Sequence, residues 1–205
     1  MRVLIAFDWN GTLVDDVDRA ADATSAVLVR RGMPPVGRDE FRERFRLPLA
    51  SFFRATGIEE NELIAAEREW NLELRGATTE LAAGAADTLA AIAFRGWSTG
   101  VVSAASAESV LADVGRLGLG DALGFVWTDR DDKTAALRSL RAGVDRLVYV
   151  GDAEYDMQCA READAVAVGF GSGYRPASAL RDAGAEVVVD DHRRLLDVLD
   201  ELVGE

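Results

Sequence analysis

The chain has 205 residues, 49% hydrophobic and 29% charged, enough apolar material for one domain with an insertion or a domain and a smaller partner. A formal net charge of −13 argues against a general nucleic-acid or anionic-membrane surface, because such partners demand a basic footprint. A small anionic ligand must then be drawn in by a local cation or a metal ion.

The first apolar run, residues 3–7, is strand length and leads directly into Asp8. It is too short for a signal sequence or a membrane span, and no later run reaches ~18 apolar residues. From residue 16 to about 80 the pattern turns helical. Val17, Ala21, Thr24, Leu28 and Arg31 mark one long helix closed by Gly32, Pro34 and Pro35. Further helical patterns follow at 38–45, 49–56 and 59–75, broken by Pro48 and Gly57, with no convincing strand among them. Strand-length runs then return at 100–103, 125–128, 147–150, 165–168 and 187–189, with helical stretches at 107–117, 134–141 and 153–163. This alternation predicts βαβ units and a buried parallel sheet. The expected fold is α/β, with a Rossmann-like three-layer core of residues 1–15 and 81–205 and an inserted α-helical block at 16–80 that reads as a cap. Hinges are expected near residues 15–16 and 81–86. Cys159, the only cysteine, reads as a small core residue on a helix, and a cytoplasmic chain is the simplest expectation.

In parallel sheets, ligands bind beyond the carboxyl ends of the strands. Asp8 follows the first strand, and the run at 147–150 leads into Gly151 and Asp152, with Asp156 one helical turn later. If those strands are adjacent, three carboxylates converge and repel, which implies a hard divalent ion, with Mg²⁺ the expected one. The competing reading is that these aspartates cap the following helices. Ser103 ends another strand, and taken alone it also reads as a cap. Lys133 is the only lysine among 23 basic residues, the rest being arginine. An ammonium is a compact point charge that enters a narrow pocket where a planar guanidinium does not fit. A hydroxyl, a backbone amide and an ammonium facing metal-bound carboxylates would suit a transferring phosphoryl group, with one aspartate left to attack it.

These residues resemble the haloacid dehalogenase-like hydrolases, in the phosphoglycolate phosphatase-like group with a helical C1-type cap. The motifs are Phe7-Asp8-Trp9-Asn10-Gly11-Thr12-Leu13, Val101-Val102-Ser103, Lys133, and Val150-Gly151-Asp152-Ala153-Glu154-Tyr155-Asp156. The resemblance implies a Mg²⁺-dependent phosphohydrolase acting on a small phosphorylated metabolite through an aspartyl-phosphate. Asp8 would be nucleophile and metal ligand, Asp152 a metal ligand, and Asp156 a support for the metal or its waters. Phosphate binding would fall to Thr12, Ser103, Ala104 and Lys133. No nucleic-acid or membrane partner is implied, and a monomer or homodimer would serve.

One departure touches the chemistry. Where the family usually has an aspartate acting as general acid and base, this chain has Asn10. An amide cannot cycle a proton near neutral pH, although its backbone carbonyl can still ligate a metal. The alternative function is therefore a catalytically impaired phosphate-binding or regulatory protein. Thr134 stands where proline is common, the loop at 129–132 is short, and Asp164 stands where glycine is frequent. With no second lysine, Schiff-base phosphonate cleavage is disfavoured. In the cap, Arg42, Arg44, Arg46 and Arg54 surround the turn at 47–49. Arg46 is the best candidate to hold an anionic part of the substrate, with a solvated helix face as the competing reading. Trp9 is expected to shape the leaving-group side, Trp70 to pack in the core, and His192 to stay out of catalysis. The glycines of 169–173 suit either a substrate-approaching loop or a plain turn.

Overall fold

The computed structural model describes residues 1–76, 78–130 and 132–204. The elements run in order from β1 (Val3–Phe7) and β2 (Val14–Asp15) into four helices. These are α1 (Val17–Val29), α2 (Arg38–Arg44), α3 (Leu49–Thr56) and, after a 3₁₀ turn at Glu60–Glu62, α4 (Leu63–Gly76). There follow β3 (Glu80–Leu81), α5 (Ala85–Phe94), β4 (Ser98–Val102), α6 (Ala107–Arg116), β5 (Val126–Trp127) and α7 (Lys133–Arg141). The chain continues through β6 (Arg146–Gly151), α8 (Glu154–Glu162), β7 (Val166–Phe170), α9 (Ala177–Asp182), β8 (Val187–Val189) and α10 (His192–Gly204). Among the described residues no helix is long and apolar enough to cross a membrane.

Six strands form one parallel sheet in the order β5-β4-β1-β6-β7-β8. Side chains alternate across a strand, and β1 is buried on both faces. Val3, Ile5 and Phe7 pack on one side with Leu89 and Ile92 of α5, Val110 of α6 and Leu195 and Leu199 of α10. Leu4 and Ala6 pack on the other with Leu137 of α7, Met157 and Ala160 of α8 and Leu180 of α9. Two helical layers over one sheet explain why the strands read as continuous apolar runs. α1 to α4 enclose a separate apolar cluster that includes Val27, Phe41, Phe52, Phe53 and Trp70.

All six sheet strands lie where the apolar runs are, with shifted ends. β4 begins two residues before the expected 100, β5 shrinks to two residues, and β6 extends by one at each end. The pair β2–β3, with Val14 opposite Leu81, was not legible, because two residues per strand carry no periodicity. It closes the base of the helical block where hinges were expected. The long helix read to Arg31 stops at Val29, and the pattern at 59–75 divides into the 3₁₀ turn and α4. Asp164 adopts φ 57°, a left-handed conformation that glycine takes freely and aspartate tolerates, which explains a preference for glycine at this position. Of the loop at 129–132, Asp131 lies outside the described residues.

Candidate active site

β1 and β6 are neighbours with Phe7 opposite Val150, so the chain leaves both strands at one level. That register brings Asp8, Asp152 and Asp156 together, with one carboxylate oxygen of each within 4.8 Å of the others and all three buried. Asp8 Oδ1 accepts from the Trp9 amide at 2.8 Å. Asp152 accepts from the Tyr174 amide at 2.6 Å and from the Thr12 hydroxyl at 3.1 Å. Asp156 Oδ2 accepts from the Ala153 amide at 3.0 Å. A side chain at Gly11 or Gly173 would collide with Asp152, and one at Gly151 with Asp156, so these glycines let the backbone close around the carboxylates.

Lys133 opens α7, whose N-cap Asp132 accepts from the Ala135 amide at 2.9 Å. Its fully buried ammonium lies 2.6 Å from Asp156 Oδ1 and 2.9 Å from Asp8 Oδ2. Burial works against that charge, but Asp156 and Asp8 outweigh it and hold the lysine pKa above its ordinary value. The Tyr149 hydroxyl donates to the Val102 carbonyl at 2.7 Å and reaches Asp156 Oδ1 at 3.4 Å.

Three carboxylates against one ammonium leave surplus negative charge in a dry setting. Burial pushes the Asp152 carboxyl well above the usual range, and the charges of Asp8 and Asp156 push it further. Asp156 is pushed up to about 6 by burial, with Lys133 opposing. Oxygen donors with unmet negative charge are what a hard divalent cation takes, so this cluster fits Mg²⁺.

Asn10 faces the same cleft. Its amide nitrogen donates to Asp16 Oδ2 at 2.5 Å. An ionised carboxylate only accepts, so the NH₂ end is fixed toward Asp16 and the amide oxygen is left for the cleft. Asp16 is itself buried and also accepts from the Gly11 amide at 2.8 Å and Arg19 at 2.9 Å. Burial raises the Asp16 carboxyl, with Arg19, Asn10 and Gly11 opposing. Arg19 extends the network to Asp113 at 3.3 Å, tying α1 to α6.

The cleft between sheet and helical block has a volume of about 390 Å³. Asp8, Asn10, Ser103, Ala104 and Asp152 line its sheet side, and Phe45, Leu47, Leu49 and Trp70 its helical side. Several expected residues are elsewhere. Trp9 is wholly buried in the sheet core with its indole toward Asp113, because the turn after Asp8 directs it inward rather than to the leaving-group side. Thr12 is fully buried and spends its hydroxyl on Asp152. Arg46 is exposed, donating to the Arg44 carbonyl at 3.3 Å, and does not line the cleft. Arg44 pairs with Glu40 and Arg54 with Glu60, while Arg42 donates to the Gly171 carbonyl at 2.8 Å. Trp70 is buried as expected, yet it also borders the cleft. His192 is buried with Nε2 2.8 Å from the Thr12 carbonyl, and burial lowers its pKa. The loop at 169–173 serves the site through its neighbour Tyr174, which holds Asp152.

Sequence reasoning missed Tyr149, Tyr174, Asp16, Glu67 and Asn71, the last two lining the cleft from α4. Tyr149 shows only as an aromatic inside an apolar strand, and Asp16 read merely as a hinge.

The family model for haloacid dehalogenase-like hydrolases matches residues 5–170. A phosphoglycolate phosphatase of Chromobacterium violaceum is 26% identical, covering 95% of this chain and 95% of its own length. An N-acetylmuramic acid 6-phosphate phosphatase of Pseudomonas aeruginosa is 27% identical, covering 96% and 94%. The crystal structure of a hydrolase from Pseudomonas syringae superposes with a TM-score of 0.81 at 21% identity, covering 98% of this chain and 99% of that one. At that identity the superposition speaks for the fold alone.

Proposed function

The chain belongs to the haloacid dehalogenase-like hydrolase family, and from that premise we propose that it is a Mg²⁺-dependent phosphohydrolase of a small phosphorylated metabolite. The observation that carries this is the convergence of Asp8, Asp152 and Asp156 on Lys133 at the ends of two adjacent strands. Two relatives of near-equal length are named as phosphatases, which supports the reading.

Asp8, which stands at the family's nucleophile position and lines the cleft, is the group we assign to attack phosphorus. Asp8, Asp152 and the Asn10 backbone carbonyl would hold the ion, with Asp156 behind them. When bound, Mg²⁺ supplies positive charge that offsets the carboxylates and the phosphoryl oxygens. Lys133, 2.9 Å from Asp8, aligns that carboxylate and adds a cation beside the incoming phosphate. Ser103 and the Ala104 backbone border the cleft where phosphoryl oxygens would rest. Attack by Asp8 displaces the alcohol and leaves an aspartyl-phosphate, which water then hydrolyses. Residues 16–80 act as the cap over residues 1–15 and 81–205.

Asn10 cannot donate a proton to a departing alkoxide, so turnover of simple monoesters is weakened by ~10²–10⁴-fold relative to an aspartate at that place. The fixing of its amide by Asp16 favours a second reading, a phosphate-binding protein with little turnover. Hydrolysis of acetyl phosphate with and without Mg²⁺ separates them. Turnover that needs Mg²⁺ and vanishes in Asp8→Ala supports the enzyme. Phosphate binding with no such turnover supports the second reading.

A further inference from the structure

The relatives' names specify substrates that carry a carboxylate beyond the phosphate, in glycolate and in the lactyl arm of muramic acid. Such a group needs a cation on the leaving-group side. Here the cleft is lined by no arginine, lysine or histidine among the described residues. The nearest candidate, Arg46, follows Phe45 and precedes Leu47, both of which face the cleft, while its own side chain turns out to solvent. Arg42 is engaged with backbone carbonyls of the loop at 171–175.

What faces the leaving group is largely apolar. Phe45, Leu47, Leu49, Trp70 and Tyr174 form the wall, and the polar groups contributed by α4 are Glu67 and Asn71. The Trp70 indole N–H is already given to the Thr24 hydroxyl at 3.0 Å, so Trp70 presents ring surface rather than a donor. The Asn71 amide nitrogen donates one N–H to the Glu67 carbonyl at 2.8 Å, so Asn71 offers a neutral amide to the cleft and no charge. A substrate carboxylate entering this cleft would lose its water and gain no counter-charge from the lining side chains. A volume of about 390 Å³ within an apolar wall also exceeds what a two-carbon group fills.

We propose that the substrate is a phosphate ester whose leaving group is an uncharged alcohol with an apolar or aromatic face. Carboxylate-bearing esters such as phosphoglycolate are rejected. This rests on the phosphohydrolase reading above and adds the chemical class of its leaving group.

The test compares kcat/KM for benzyl phosphate, glycerol 1-phosphate and phosphoglycolate, all esters of unactivated alcohols, each against Asp8→Ala. Benzyl phosphate should exceed phosphoglycolate by ~10–10²-fold, the range a mismatched group in an apolar pocket typically imposes. Leu47→Arg, at a half-buried wall position, should reverse the preference toward phosphoglycolate. Asp8-dependent turnover that favours phosphoglycolate in the wild-type chain overturns the inference and leaves the phosphatase reading standing. Absence of Asp8-dependent turnover with all three esters and with acetyl phosphate removes the phosphatase reading itself. If Leu47→Arg does not fold, the wild-type ratio alone decides.

Discussion

Substituting Asn10→Asp supplies the proton carrier the family usually has, yet the structure predicts that this single change restores little. The side chain at position 10 lies 2.5 Å from Asp16 Oδ2. Two unit charges at that distance repel by ~7 kcal/mol at an effective dielectric of about 20, so the new pair cannot be doubly ionised near neutral pH. One proton is shared between them, and the carboxyl at position 10 stays bound to Asp16 instead of aiming at the leaving group. Asn10→Asp alone should therefore fall well short of the ~10²–10⁴-fold that proton transfer contributes. The double variant Asn10→Asp with Asp16→Ser should approach it, because a serine hydroxyl can still accept from the Gly11 amide without a second charge. Steady-state kcat/KM with benzyl phosphate reads the gain. Acetyl phosphate is the control, because its leaving carboxylate needs no proton and its kcat/KM, which excludes the later hydrolysis of the aspartyl-phosphate, should not change. A full gain from the single substitution, or an equal gain with acetyl phosphate, would refute the reasoning.

Lys133→Arg should lose most activity, because a planar guanidinium cannot replace an ammonium that is fully buried between Asp8 and Asp156. Lys133→Ala should lower unfolding stability by ~3–5 kcal/mol, the usual cost of stranding buried carboxylates, read by urea denaturation. Without metal, the folded Asp156 carboxyl titrates at about 6 against an ordinary 3.8, so it binds its proton more tightly folded than unfolded. The stability it contributes is therefore full below about 3.8 and is lost as pH rises through about 6. Mg²⁺ must compete with that proton, so it should raise the melting temperature more at pH 7.5 than at pH 5. An equal shift at both values would count against Asp156 belonging to the ion's surroundings.

Much of the fold was legible because a buried parallel sheet writes itself as apolar runs of fixed length. Residues 3–7 and 147–150 are such runs, the first followed by Asp8 and the second by Gly151, which ends β6, and then Asp152. The positions of Asp8, Asp152 and Asp156 followed from that, as did the value of a lone lysine in an arginine-rich chain. The two-residue pairing of β2 with β3 was not legible, since Val14 and Leu81 are separated by the whole helical block and carry no local pattern. The cap arginines misled for a related reason. Periodicity locates a helix, but Arg46 lies outside any helix in the turn at 45–48, where no periodicity sets which side chain enters the cleft.

From the sequence alone came the α/β order, the strand-end carboxylates, the ammonium and the missing proton carrier at Asn10, because each is a matter of residue type and spacing. Only the tertiary structure decided that Asn10 is bound to Asp16, that Trp9 turns into the core, and that the cleft wall from the helical block is largely apolar and, among the described residues, carries no cation. Those are contacts between segments far apart in the chain or side-chain directions set by packing, and packing is settled only when every element is in place.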